Sequence, residues 1–246
     1  MKGMTKADVD KLDKGLAVRS GRALRPRDAA TLILLDRSGG DFVVLMGRRH
    51  AGHAFMPGKF VFPGGRTDPA DSRIPVAAPL HGEIEAKLAV GPGRTNAARA
   101  RAIALSAVRE TYEEAGLLIG RKRPFATTKR DWQGFVDHGV APSLDALRFI
   151  ARAITPPNRV RRFDTRFFAA WRGDVAVELP GGGPTNELEE LVWLPLAEAR
   201  KADIPDITRM ILEELEQRLA DDPLLRPGGA VPFFRLVRSR FVREVL

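Results

Sequence analysis

Three glutamates crowd the end of the stretch Ala107-Val108-Arg109-Glu110-Thr111-Tyr112-Glu113-Glu114-Ala115-Gly116-Leu117, and carboxylates at that spacing can hold a cation. At about 100° per residue, Leu105, Val108, Tyr112 and Ala115 form one apolar stripe of a helix. Glu110 and Glu114, four apart, lie together on the opposite side, with Glu113 flanking them. Such a helix is electrostatically unfavourable. Carboxylates in a last turn oppose the macrodipole at roughly 0.3–1 kcal/mol each, and the Glu110–Glu114 pair adds a few tenths more. A hard divalent cation, Mg²⁺ or Mn²⁺, prefers carboxylate oxygen and removes both penalties. A solvated acidic face balanced by arginine is the competing account of the same residues. Arg109 sits four residues before Glu113, a spacing at which its guanidinium holds that carboxylate in place.

The elements that must position these groups are readable around them. The helix runs from about Asn96 to Ala115 and stops at Gly116. Ala29 to Leu35 and Phe42 to Met46 read as two strands joined through Gly39-Gly40, a natural hairpin. Lys59 to Phe62 leads into Pro63-Gly64-Gly65, expected to be a tight turn whose glycines take positive φ. Residues 66 to 95, rich in Pro, Gly and Ala, read as an insertion with a helix-compatible piece at Gly82 to Leu88. The region 120 to 155 reads as largely helical, with Phe135, Leu144, Leu147 and Ile150 as apolar anchors. Phe163 to Trp171 and Leu191 to Leu194 are strand candidates, separated by the turn-rich Pro180 to Pro184. Ile207 to Leu219 is an amphipathic helix with Ile211, Leu212, Leu215 and Leu219 on one side. Strands mixed with helices in this order predict an α/β sandwich around one central sheet, a single domain over residues 1 to 246.

Composition narrows the function. With no cysteine, any metal must use oxygen or histidine ligands. His50, His53, His81 and His138 show no metal-ligand spacing, so the carboxylates are left as the donors. No apolar run approaches eighteen residues, which argues against a membrane span. Residues 1 to 24 read as an arm or short helix, and Asp8, Asp10 and Asp13 argue against a transit peptide, so a cytoplasmic location is expected. The net charge of +9 comes from arginines scattered along the chain, an Arg-rich composition or a basic mouth around an anionic substrate. Trp132, Trp171 and Trp193 are expected in the core.

Arg109 through Leu117, preceded by Phe62-Pro63-Gly64-Gly65, resembles the signature of the Nudix hydrolases: a glycine, five residues, a glutamate, seven residues, Arg-Glu, an apolar residue, any residue, Glu-Glu, any residue, Gly and an apolar residue. Thr111 stands where an apolar residue is usual. The resemblance implies a Nudix-type α/β/α sandwich with a central mixed β-sheet. It implies Glu110, Glu113, Glu114 and the Gly64 carbonyl as metal ligands, and Arg109 as the orienting residue. The first half departs: 43 residues (66 to 108) separate Gly65 from Arg109 where the signature has thirteen, and Arg101 occupies the position eight before Arg109 where a glutamate is expected. Asp68, Asp71, Glu83 and Glu85 are candidates for the missing carboxylate. An interrupted box is similar to that of certain coenzyme A diphosphatases and their bacterial relatives. Val44 to Arg49 before Phe55-Met56-Pro57-Gly58, and Ile154 to Pro157 before Arg162 to Phe168, fit that branch.

What the resemblance implies chemically is attack of a metal-activated water on the phosphorus of a P–O–P linkage in a small nucleotide-like substrate, coenzyme A or acyl-coenzyme A among them. The proton acceptor is a box carboxylate or one of Glu187, Glu189 and Glu190, whose bland alternative is a charged strand edge. Arg48, Arg66 and Phe62 flank the turn as candidate substrate contacts. Other nucleoside diphosphate derivatives and an RNA 5′ end are alternative substrates, though no aromatic-and-basic interleaving points to nucleic acid. A non-catalytic ligand sensor is the alternative from another class. Relatives of this kind also form homodimers.

Overall fold

The computed structural model describes residues 24–50, 58–93, 95–157 and 159–246. The expected N-terminal arm, Leu24 apart, and the stretch containing His53 and Phe55-Met56-Pro57 therefore lie outside the described residues. Strands β1 (Arg27–Ser38) and β2 (Asp41–Arg49) form the expected antiparallel hairpin, with Leu35 opposite Val44. Short strands β3 (Phe60–Val61) and β4 (Gly64–Arg66) follow, then helix α1 (Gly82–Ala89) and the long helix α2 (Ala97–Ala115). Beyond it come β5 (Leu117–Lys122), α3 (Gln133–Asp137), β6 (Val140–Pro142), β7 (Arg148–Ile154), β8 (Phe163–Trp171), β9 (Val175–Glu178) and β10 (Leu188–Pro195). Helices α4 (Leu196–Ala199) and α5 (Asp206–Asp221) and the hairpin β11 (Pro232–Val237) and β12 (Arg240–Val245) complete the order.

Among the described residues the main sheet has nine strands, with the path β10-β2-β1-β8-β7-β11-β12 and with β3 and β4 pairing on β2 and β1. It is mixed: β1 runs parallel to β8 and β11 to β7, while the other neighbours are antiparallel. Period-two alternation sends Ala30, Leu32 and Leu34 of β1 to one face, where they pack with Ile103, Ala104 and Val108 of α2 and with β5 and β6. Ile33 and Leu35 face the other way, onto Ile211, Leu212, Leu215 and Leu219 of α5. Two helical layers thus enclose one sheet, the expected α/β/α sandwich. No helix among the described residues is long and apolar enough to cross a membrane.

The region 120 to 155 is not largely helical. Its only α-helix is the five-residue α3, and β5, β6 and β7 occupy most of the rest. Ala146, Leu147, Arg148, Ala151, Arg152 and Ala153 are good helix formers, but β7 is hydrogen-bonded between β8 and β11 and buried on both faces, so packing overrides propensity. The anchors remain apolar and buried, Phe135, Leu144, Leu147 and Ile150 included, in strands and turns instead of on a helix stripe.

The insertion is tied down by cations. Lys87 Nζ donates to the carbonyls of Gly228 and Gly229 at 2.6 Å each. Arg152, fully buried, donates to the carbonyls of Val90 and Pro92 at 2.9 and 2.8 Å while forming a fork with Asp164 at 2.8 and 2.7 Å. Asp164 also faces buried Arg166. Replacing it by asparagine leaves buried Arg152 without its counter-charge and Arg166 with Asp28 alone, which costs about 3–5 kcal/mol. Urea unfolding of Asp164→Asn is therefore expected to show a much lower midpoint than the parent chain, and an unchanged midpoint would show that the fork contributes nothing.

Candidate active site

Helix α2 begins at Asn96, whose side chain accepts from the Arg99 amide at 2.8 Å, and ends at Gly116 in the left-handed region at φ 71°. The Gly-rich turn closes over that end. A Cβ on Gly116 would lie 2.5 Å from the Gly182 carbonyl oxygen, and one on Gly183 would lie 2.2 Å from the Glu113 carbonyl oxygen. The Thr185 amide and hydroxyl both donate to that Glu113 carbonyl, at 3.1 and 2.7 Å. An orphan carbonyl of the helix end is thereby satisfied, and the capping turn delivers Glu187 beside the box helix. Thr111, the departure from the apolar pattern, is buried with its hydroxyl donating to the Ala107 carbonyl at 2.8 Å.

Arg109 is the hub. Its buried guanidinium donates to Asp71 at 3.2 Å, Glu113 at 2.7 Å and the Arg66 carbonyl at 3.1 Å, and pairs with Glu110 at 2.9 Å. These neighbours raise its pKa further above the ordinary guanidinium value despite the opposing cost of burial. Asp71, itself buried, completes its shell by accepting from the Trp132 indole at 2.9 Å. Asp71 stands six residues after Gly65, at the glutamate position when the signature is counted forward from the glycine. Counting backward from Arg109 reaches Arg101 instead, whose guanidinium donates to the carbonyls of Ser72 and Ile74 and so clamps the turn that carries Asp71. Counted this way, Asp71 stands where the resemblance expects a glutamate, and the extra residues follow it.

Gly64 and Gly65 do not take positive φ, contrary to the turn expectation; they form the edge of β4, paired with Thr31 and Ala30. Their need for glycine is close approach. A Cβ on Gly64 would lie 2.5 Å from Thr31 Oγ1, and one on Gly65 would lie 2.4 Å from the Glu110 carboxyl. Leu32 donates to the Pro63 carbonyl, so Thr31 and Gly64 form the non-hydrogen-bonded pair of the ladder, with both Gly64 main-chain groups turned away from β1. The Gly64 amide accordingly donates to Glu114 at 2.9 Å.

A cleft of about 420 Å³ opens here, lined by Gly64, Gly65, Glu110, Glu114 and Glu187 on one side and by Phe163, Thr165, Phe167 and Ile207 on the other. Arg49, Phe62, Arg66 and Arg161 also line it. Arg48 does not: it bonds Glu190 at 2.8 Å and lies over the Phe60 ring. Glu113 is turned to Arg109 and is absent from the lining. Of the three later glutamates only Glu187 lines the cleft; exposed Glu189 pairs with His50 and exposed Glu190 with Arg48. Asp68, Glu83 and Glu85 stay outside it. Among the described residues no three carboxylate or histidine side chains already enclose a point. Arg49 and Arg161, both missed in the sequence, carried no signal there beyond being two arginines among many.

The carboxylates repel. Burial pushes Glu114 up to about 8, with the Gly64 amide opposing and Glu110 and Glu187 adding to the rise. Burial pushes Glu113 up to about 7, Arg109 opposing, and raises Glu110 as well. Arg109 and, near Glu114, Arg49 are the guanidiniums that offset this carboxylate charge.

Among solved structures, the chain is similar to a Nudix hydrolase from Alicyclobacillus acidocaldarius, with 27% identity and a TM-score of 0.56 over 77% of this chain and 90% of that one. It is also similar to a Nudix hydrolase from M. smegmatis, RenU, with 17% identity and a TM-score of 0.46 over 86% and 97%. The Nudix domain of Shewanella oneidensis NrtR, solved with ADP ribose, matches with 12% identity and a TM-score of 0.45 over 88% and 99%. No family model matches the chain.

Two outcomes follow from this geometry. Asp71→Ala strands the Arg109 Nε and the Trp132 indole, and loss of such a supporting partner costs on the order of 10–100-fold in ion affinity or turnover. Ion titration of Asp71→Ala against the parent measures it, and equal affinities would refute the hub. Second, folded-state carboxylate pKa values of about 7 and about 8 exceed the ordinary value of 4.5, so the folded chain binds more protons than the unfolded one between them. Stability from this cluster is full below about pH 4.5 and is lost as pH rises towards about 8. In chelator the melting temperature is expected to fall over that range, less steeply in Glu114→Gln, and Mg²⁺ is expected to raise it most at the alkaline end. An identical slope in the variant would contradict the assignment.

Proposed function

We propose that this chain, a Nudix hydrolase, cleaves the diphosphate linkage of a nucleotide derivative in the cleft bounded by Glu110, Glu114 and Glu187, with a divalent cation as cofactor. The observation that carries this is the buried pair Glu110 and Glu114 beside the Gly64 main chain, an oxygen-only donor set held in mutual repulsion. Those groups fit Mg²⁺ or Mn²⁺ and would hold the ion, the Gly64 carbonyl serving as a neutral donor, while Glu113 supports through Arg109. When bound, the ion supplies activation of a water molecule and neutralisation of diphosphate charge.

The protein's own groups do the rest. Arg109 keeps Glu110 and Glu113 in fixed rotamers, so the carboxylates meet the substrate preorganised. Glu187, half-buried at the cleft wall and tethered by Arg49 at 3.4 Å, takes the proton from the attacking water. Arg49 has a buried Nε without a hydrogen-bond partner, which makes it a ready donor to a diphosphate oxygen. Phe163, Phe167 and Ile207 offer an apolar wall to the organic part of the substrate. Coenzyme A or acyl-coenzyme A is the lead substrate, on the resemblance of the interrupted box to that branch.

Product chromatography tests this with coenzyme A, acyl-coenzyme A, NADH, ADP-ribose and diadenosine polyphosphates, each with Mg²⁺ or Mn²⁺ and with chelator. Metal-dependent cleavage between the phosphates is expected, reduced on the order of a hundredfold or more in Glu114→Gln. Cleavage confined to other substrates would remove coenzyme A and keep the site. Full activity in Glu114→Gln or in chelator would overturn the mechanism.

A further inference from the structure

The cleft wall does not end at its apolar residues. Strands β1 and β8 run parallel in the register Arg27 with Phe163, Ala29 with Thr165 and Thr31 with Phe167. Period two puts Arg27, Ala29 and Thr31 on one face of β1, and Phe163, Thr165 and Phe167 on the matching face of β8. Ala29, Thr31 and the three β8 residues line the cleft. Followed backward, both rows turn basic: β1 is preceded by Arg25 and begins at Arg27, and β8 is preceded by Arg161. Between them lies a second cavity of about 690 Å³, lined among the described residues by Arg25, Arg27, Arg66, Arg161 and Arg162 together with apolar Leu24, Pro26, Val160 and Phe163, and by no acidic residue. It shares Arg66, Arg161 and Phe163 with the cleft, so the two are continuous.

What sets this cavity apart is that unpaired guanidiniums converge on it, whereas many others are neutralised in pairs. Arg99, Arg109, Arg152, Arg172, Arg200, Arg235 and Arg243 all pair with carboxylates. Arg25, Arg27, Arg66 and Arg161 make no side-chain hydrogen bond or ion pair with any other described residue. The fifth, Arg162, is structural: it donates to the carbonyls of Thr155 and Leu24 at 2.8 and 2.9 Å and so pins the start of β1 against β8. Four guanidiniums around one cavity repel unless an anion joins them, and paired guanidiniums match a phosphate in two-point geometry.

We infer that this cavity is a second anion subsite, and that it takes a phosphate monoester borne by the same nucleotide whose diphosphate lies in the cleft. The inference rests on the catalytic reading above. Arg27 lies three residues along the strand from Ala30, the partner of Gly65 beside the Glu110 carboxyl, roughly 10 Å at about 3.3 Å per residue, a span that the length of an arginine side chain shortens. That is a step within one nucleotide. The substrate class is thus a nucleoside diphosphate derivative with an additional ribose phosphate.

Calorimetric binding of AMP, adenosine 2′,5′-bisphosphate and adenosine 3′,5′-bisphosphate to the whole chain, at fixed ionic strength with Mg²⁺, tests the subsite without turnover. One bisphosphate is expected to bind about tenfold or more tightly than AMP, a margin one added charged contact supplies. The double variant Arg25→Gln with Arg27→Gln changes two exposed side chains, neither of which lines the catalytic cleft. It is expected to bring the bisphosphate down to AMP affinity and to leave AMP binding unchanged. Equal affinities in the parent, or a preference that survives the double variant, would overturn the subsite. Hydrolysis of diphosphates without bisphosphate preference keeps the catalytic reading and loses this one, while bisphosphate preference without hydrolysis does the reverse.

Discussion

Everything in the candidate site hangs on the Arg109 guanidinium. It touches Asp71 from the turn after β4, Glu110 and Glu113 from its own helix, and the Arg66 carbonyl of β4 itself. A lysine has three donors on a flexible stem and cannot satisfy four directions with a planar fork. Because the group is buried, each bond is made in a low-dielectric setting where loss of a partner is costly. The same residue therefore joins strand edge, turn and helix, and it decides where the glutamates point.

That junction explains the glycines. The Glu110 carboxyl comes so near the β4 backbone that no Cβ fits on Gly65, and Gly64 must pass Thr31 while offering its amide to Glu114. Both are requirements of distance, satisfied in extended backbone, whereas Gly116 and Gly182 meet the left-handed conformations of a helix stop and its capping turn. Packing between backbone and carboxylate thus substitutes for loop flexibility. The site is rigid where the charges meet.

Much of this was legible beforehand. The box helix with its Gly116 stop, the β1–β2 hairpin, β8 and the stripe of α5 all follow from periodicities that tertiary packing merely used. Region 120 to 155 misled because helix-forming alanines and arginines there serve a strand enclosed on both edges, a constraint that lies in the neighbours and not in the segment. Asp71 was within reach as one of four candidates, and the spacing from Gly65 singles it out once the count runs from the turn instead of from the helix. Arg49 and Arg161 were not, because their distinction is the absence or presence of a carboxylate partner in space. An arginine-rich chain hides its functional arginines until the pairing is known.

The long interruption between Asp71 and Arg109 is tolerated for a reason of entropy. Between Asp71 and Arg109 stand 37 residues (72 to 108) where the signature has seven. Closing the longer loop costs about 1.5 kcal/mol more, since the penalty grows only with the logarithm of length. The insertion offsets that cost by packing apolar residues into the common core. Ile74, Ile84 and Leu88 join the core under α2, Lys87 donates to the loop before β11, and the Val90 and Pro92 carbonyls accept from Arg152 of β7. Arg101, inside the added stretch, grips the Ser72 and Ile74 carbonyls and holds the turn that presents Asp71. The added chain thus supplies a clamp beside Asp71, and the Arg109–Asp71 contact survives an interruption that the linear spacing suggests should break it.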